Sequence, residues 1–141
     1  DRWFLDLAKY VSTASKDPST QVGAVIVNDN KQIISTGYNG FARGLEDSEE
    51  RLNDRDLKYK LVIHAEENAL LYATQPVQGC TAYIYPFPPC TNCASKLIQS
   101  GIKRIVCTDY MPERWIPHFD LSFQILEEAG VNVLLIPLED N

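Results

Sequence analysis

His64-Ala65-Glu66 and Pro89-Cys90-Thr91-Asn92-Cys93 together read H-A-E-x22-P-C-x-x-C. Each half opens a helical pattern, Leu61 to Ala73 for the first and Thr91 to Ser100 for the second, and each pattern is followed by an apolar strand. One imidazole and two thiols are three donors for Zn²⁺. Three protein ligands leave a fourth tetrahedral position for water, which is what separates a catalytic zinc from a structural one. At such a site the metal lowers the water pKa from about 15.7 to about 7. Glu66 lies two residues past His64, off its helical face. It therefore points beside the metal, where a carboxylate moves protons. Cys90 follows Pro88-Pro89 and begins a helix, so both the helix dipole and a metal favour its thiolate.

The competing reading of these residues is a structural zinc knot or ordinary core cysteines. A closed structural site needs a fourth ligand, and only Cys80, Cys107 and His118 remain. Cys80 precedes a strand and Cys107 lies within one, as small core residues do. His118, between Pro117 and Phe119, reads as a loop histidine. The expectation is one catalytic zinc per chain, held by His64, Cys90 and Cys93.

A chain of 141 residues is expected to form a single domain over 1–141 with a proper core. Its 45% hydrophobic and 23% charged residues are those of an ordinary globular protein. The formal net charge of -6 argues against a polynucleotide partner, which calls for a basic patch. Arg51, Arg55, Lys58 and Lys60 interleave with Glu46, Asp47, Glu49, Glu50, Asp54 and Asp56, and read as a solvated helix surface. A single nucleotide, needing one or two cations, remains compatible. No apolar run approaches the ~20 residues of a membrane helix. No signal-peptide pattern is present, and four cysteines with two given to metal do not make a disulfide framework. The expected compartment is a reducing cytoplasm. Asp1 opens the sequence without a methionine, so some N-terminal residues are expected to precede it.

Outward from the two halves, Arg2 to Ser15 reads as a helix with Trp3, Phe4, Leu7, Ala8, Val11 and Ala14 on one stripe. Val22 to Asn28 and Gln32 to Tyr38 read as a hairpin. Gly37 to Arg55 is too long and polar for an idle connection, and is functional or partly helical. Thr81 to Tyr85, Lys103 to Thr108 and Val131 to Pro137 are strands. Asp109 to Asp120 is an aromatic-bearing loop and Leu121 to Ala129 a helix. After the hairpin each successive strand is reached through a helix, which implies parallel strands with right-handed crossovers. The fold class is α/β: a three-layer α/β/α sandwich around a five-stranded mixed sheet, with the starts of the two metal-bearing helices meeting at one sheet edge.

The H-x-E…P-C-x-x-C pattern is the known signature of zinc nucleobase deaminases, and the chain resembles the cytidine and deoxycytidylate deaminase superfamily over about residues 2 to 137. Three further segments resemble its deoxycytidylate (dCMP) deaminase branch: Asp17-Pro18-Ser19-Thr20-Gln21-Val22-Gly23-Ala24, Gly37-Tyr38-Asn39-Gly40-Phe41-Ala42-Arg43-Gly44, and His64-Ala65-Glu66-Glu67-Asn68-Ala69. The resemblance implies that Glu66 is the proton shuttle and that Asn39, Thr20, Ala65, Tyr110 and Arg114 contact substrate. Asn39 would meet the sugar; alternatively it is a turn residue between glycines. Tyr110 would stack on the base or reach a phosphate, or is simply a packed aromatic. Relatives often carry an arginine eleven residues past the metal histidine, where it holds phosphate; here that position is Gln75. Arg43, Arg114 or Lys16 would replace it, unless they are solvated surface charges or the pocket takes dCTP. The resemblance also implies a homo-hexamer activated by dCTP and inhibited by dTTP, with Mg²⁺ on the bound triphosphate. Effector contacts would come from Asn39, Gly40 and Arg43, whose loop glycines permit close approach to phosphate.

Three functions compete on these grounds. One is zinc-dependent hydrolysis of dCMP to dUMP and ammonia. A second keeps the chemistry and changes the substrate to dCTP, cytosine, guanine or adenosine in tRNA, the last disfavoured by the acidic surface. The third is a catalytically silent nucleotide sensor, against which the retained Glu66 counts.

Overall fold

The computed structural model describes residues 1–138; residues 139–141 of the expected domain lie outside the described residues. Helix α1 (Arg2–Ser12) precedes a hairpin of β1 (Gly23–Val27) and β2 (Ile33–Tyr38). Then come β3 (Gly40–Phe41), α2 (Glu49–Asn53), α3 (Arg55–Leu61), β4 (Val62–Ile63) and α4 (Ala65–Leu71). The remainder runs β5 (Thr81–Tyr85), α5 (Thr91–Gln99), β6 (Arg104–Thr108), a 3-10 turn (Glu113–Trp115), α6 (Ile116–Glu128) and β7 (Asn132–Ile136).

Five strands form one sheet in the order β2-β1-β5-β6-β7. β1 is antiparallel to both neighbours, while β5, β6 and β7 are mutually parallel. Hence β2, β5, β6 and β7 all point one way and only β1 opposes them. This is the mixed sheet expected. Side chains alternate across it with the strand period. Ala24, Ile26, Ala82, Ile84, Ile105 and Cys107 face α4, α5 and α6, where Ala65, Ala69, Ala94, Leu97 and Leu126 meet them. Val25, Val27, Tyr83 and Val106 face Leu5 and Ala8 of α1. The continuous burial of β1 follows from having helices on both faces. Among the described residues no helix is long and apolar enough to cross a membrane.

Three segments differ from the sequence reading, and a fourth, Gly37 to Arg55, follows it. The helix expected over Leu61 to Ala73 is interrupted: Val62 and Ile63, both β-branched, pair antiparallel with Gly40 and Phe41 as a second small sheet. Gly37 to Arg55 is partly helical, as one of its two readings had it. α1 stops at Ser12 rather than Ser15, because the Ser12 and Thr13 hydroxyls turn back onto the carbonyls of Lys9 and Tyr10. The expected loop Asp109 to Asp120 contains the 3-10 turn and the first turn of α6, which begins at Ile116 with Pro117 inside its first turn. Proline lacks an amide hydrogen that position does not use, so it starts a helix there rather than breaking one.

Gly37 lets β2 lie directly against α4. A Cβ at Gly37 would stand 2.4 Å from both the Ala65 carbonyl oxygen and the Ala69 nitrogen, neither of which can swing aside. We expect Gly37→Ala to destabilise the fold by about 1–3 kcal/mol through overpacking, read as a lowered melting temperature. Gly40→Ala, which meets nothing within 4 Å, should melt with the wild type.

Candidate active site

A cavity of about 790 Å³ opens at the sheet edge where β2, β5 and β6 end and β1 begins. Open α/β sheets place their ligands at the carboxyl ends of their strands for the same topological reason. Two helices start there. His64 is the N-cap of α4 and Cys90 the N-cap of α5, each with extended backbone. His64 thus stands just outside the helix rather than within one, and its ring reaches across to α5. Its Nδ1 lies 3.2 Å from Cys93 Sγ and 3.5 Å from Cys90 Sγ. The three donors fall within 4.8 Å of one another, and no other group of three forms among the described residues.

Hydrogen bonds from Cys93 and His64 pull the Cys90 thiol down to about 4 against the opposing effect of burial. The same bond to Cys90 lifts His64 to about 9, and Cys93 is pushed up by donating to Cys90 and by burial. One thiolate is therefore already favoured among two sulfurs and an imidazole packed this tightly. That donor set suits a tetrahedral Zn²⁺. Behind it, Glu67 accepts a hydrogen bond from the His64 backbone N–H at 2.9 Å and pairs with Lys96. Glu67 is three residues past His64 and Lys96 three past Cys93. The ion pair therefore clasps α4 to α5 one turn behind the donors.

Glu66, in the first turn of α4, lines the cavity and is only 5% exposed. Burial pushes its carboxyl up to about 7, helped by Cys90 and opposed by His64 and Cys93. A carboxyl poised there can both accept and return a proton near neutral pH. Cys80 and Cys107 are buried free thiols outside the cluster. His118 is not a loop histidine: it lies in α6, with its ring 5.5 Å from that of Trp115.

Thr20, Asn39, Ala65, Tyr110 and Arg114 all line the cavity. The Asn39 amide is spent on backbone: Oδ1 accepts from Val22 N–H and Nδ2 donates to the Thr20 carbonyl, both at 2.9 Å. Tyr110 stacks on Phe87 at 5.5 Å between centroids, and the Arg114 guanidinium lies over Trp115 at 5.4 Å. Gly40 and Arg43 do not line the cavity; Arg43 lies on the Tyr72 ring and donates to its hydroxyl. Lys16 is also outside, paired with Asp47 at the surface. Gln75 is exposed and is not among the residues that line the cavity.

The cations that do line it are Arg55, Lys58 and Arg114. Lys58, which is buried, corrects the reading of segment 46–60 as a solvated surface; Arg55 is exposed as read, although it borders the cavity. Arg55, Lys58, Tyr59 and Val62 recur at i, i+3, i+4 and i+7, and all four face the cavity. That periodicity, after the N-cap Asp54, was the signal available in the sequence. It was obscured by the acidic residues interleaved with the basic ones.

Known proteins resemble the chain in sequence and in fold. Residues 1–109 match the cytidine and deoxycytidylate deaminase zinc-binding region. A protein of Aliivibrio fischeri named as an uncharacterized deaminase in the luxG 3′ region is 42% identical over 139 residues, spanning 96% of this chain and 92% of that one. The human deoxycytidylate deaminase is 40% identical over 110 residues, 74% of this chain and 61% of that protein. The chain thus spans under two thirds of the length of that relative. The dCMP deaminase of cyanophage S-TIM5, solved with dCMP and dUMP, shares the fold with a TM-score of 0.77 at 23% identity, covering 96% of this chain and 95% of that one. A three-donor cluster with a buried carboxyl beside it, inside a fold and a sequence shared this widely, places the chain in the cytidine and deoxycytidylate deaminase family.

Proposed function

We propose that this chain is a zinc-dependent hydrolase that converts dCMP to dUMP and ammonia. The observation that carries the reading is the buried Glu66 carboxyl beside His64, Cys90 and Cys93, at a cavity that also presents Arg55 and Arg114. The 40% identity to a human protein named deoxycytidylate deaminase supports dCMP among cytosine substrates. His64, Cys90 and Cys93 hold one zinc per chain. When bound, the metal acts as a Lewis acid and makes a nucleophile of water at neutral pH. Glu66 takes up the proton that this water loses. It would deliver that proton to the ring nitrogen N3, and then carry the remaining proton of the oxygen added at C4 to the amine that leaves from it. Ala65 forms part of the cavity lining beside Glu66, and Thr20 and Asn39 shape the wall against the sugar. Tyr110 offers its ring to the base. Arg114 and Arg55 take the phosphate, because guanidinium pairs bidentately with phosphate oxygens.

The same reading has the enzyme working in the cytoplasm as a homo-hexamer, activated by dCTP and inhibited by dTTP, each carried with Mg²⁺. Effectors would be held by Asn39, Gly40 and Arg43. Support for this comes from the kinship with deoxycytidylate deaminases and from the open space around Gly40. A second substrate, dCTP, is favoured by one observation: the cavity of about 790 Å³ has room for a longer phosphate chain.

Zinc-loaded protein supplied with dCMP or dCTP, with and without dTTP, separates these readings by loss of cytosine absorbance. Turnover of dCMP that dTTP suppresses is expected. Turnover of dCTP alone, or of neither, overturns the monophosphate assignment. Glu66→Gln should keep one zinc per chain by metal analysis and lose turnover; surviving activity would remove the proton-shuttle role. Lys96→Met, which frees Glu67 and unclasps the two helices, should weaken zinc affinity by about 2–5-fold, the scale of a partly exposed ion pair. Chelator competition measures it.

A further inference from the structure

We infer that Lys58 is a positioning residue for the nucleotide, acting through Asp17 to hold the Ser19-Thr20 wall of the cavity. The inference rests on the nucleotide reading of that cavity above. Lys58 comes from α3 and Asp17 from the loop between α1 and β1, and both line the cavity. Their side chains are each only 9% exposed, and Nζ lies 3.2 Å from Asp17 Oδ1. That same oxygen accepts the backbone N–H of Ser19 at 2.8 Å and of Thr20 at 3.2 Å. The carboxylate is therefore the node on which the wall turns, and Lys58 fixes the node from α3.

The loop is pinned a second time by Asn39. Its amide holds Val22 N–H and the Thr20 carbonyl, and its own carbonyl accepts the Ser15 hydroxyl at 2.9 Å. Between the two clamps the segment from Ser15 to Val22 has little freedom. The motifs at Asp17–Ala24 and Gly37–Gly44 meet here, joined by their own side chains and backbone. A buried lysine matched one-to-one by a buried carboxylate adds little net charge to the cavity, unlike Arg55 and Arg114. Its contribution is geometric. A buried ion pair broken on one side leaves the other charge desolvated and alone, so Asp17 without Lys58 would turn toward water and release Ser19 and Thr20.

The test is a double-mutant cycle of Lys58→Gln and Asp17→Asn, with kcat and KM measured on dCMP and on deoxycytidine, which lacks the phosphate. Zinc content and melting temperature are checked alongside. Lys58→Gln is expected to raise KM roughly tenfold or more, the size of a charge-assisted hydrogen bond, with a smaller change in kcat and equal loss on both substrates. The double variant should be no worse than the worse single one, as for two residues acting as a unit. Lys58→Arg should recover most of the loss. Additive losses, or a loss confined to dCMP, would make Lys58 a direct phosphate contact and overturn the inference; so would an unchanged KM. Amide hydrogen exchange at Ser19 and Thr20 reads the same clamp without any substrate. Lys58→Gln should speed it roughly tenfold, and unchanged exchange overturns the inference even if the protein proves to act on another nucleotide. Wild-type turnover of dCMP separately decides the function itself.

Discussion

Two helix N-termini converge on one point, and the side chains that cap them are the ones with metal-donor atoms. His64 and Cys90 each stand at an N-cap with extended backbone, so each side chain leaves its helix sideways instead of lying along it. Cys93, in the first turn of α5, then comes within 3.2 Å of His64. The first-turn amides at both termini present partial positive charge to the same spot. That field favours thiolate at Cys90, and the hydrogen bonds from Cys93 and His64 strengthen it. Everything catalytic in the account needs this convergence. Glu66 is beside the donors because it is in the first turn after His64, and it is buried because α4 packs flat on the sheet at Gly37.

The sheet topology supplies the room. With β1 antiparallel between β2 and β5, the start of β1 lies at the same edge as the ends of its neighbours. The cavity therefore takes its wall from the loop before β1, a side from the turn after β2, and its aromatic floor from Phe87 and Tyr110 after β5 and β6. Segment 42–63 adds what the sheet cannot. α3 brings Arg55 and Lys58 over the cavity, and Tyr59 meets Trp115 edge-to-face at 6.3 Å across it. A chain of net charge -6 thus brings Arg55 and Arg114 to the cavity, with Lys58 there neutralised by Asp17. Net charge argues against a polynucleotide track on the surface while saying nothing about a pocket.

Much of this was legible in the sequence. Thr81–Tyr85 is a strand with the bounds read from its pattern, and the donor cluster follows from the spacing of His64, Cys90 and Cys93. Short apolar strands and ligand spacing are local, so a linear reading finds them. What escaped depends on partners far along the chain. Val62-Ile63 continues a helical pattern on paper and becomes strand because Gly40-Phe41 is available to pair with it. Lys58 looks solvated until the fold sets Asp17 against it. Asn39, read from the resemblance as a sugar contact, spends its amide on Thr20 and Val22. Its place in the wall is visible only once the loop before β1 is folded beside it. Pro117 hid a helix start because proline marks both a break and a beginning.

The central claim is an open metal site made by three donors from two helix N-termini. X-ray absorption at the zinc edge tests it most directly. The account predicts two sulfur ligands, one imidazole nitrogen and one further light-atom ligand that exchanges with solvent. A third sulfur from Cys107 or a second imidazole from His118 would close the site, and the account of a catalytic centre at Glu66 would fall with it.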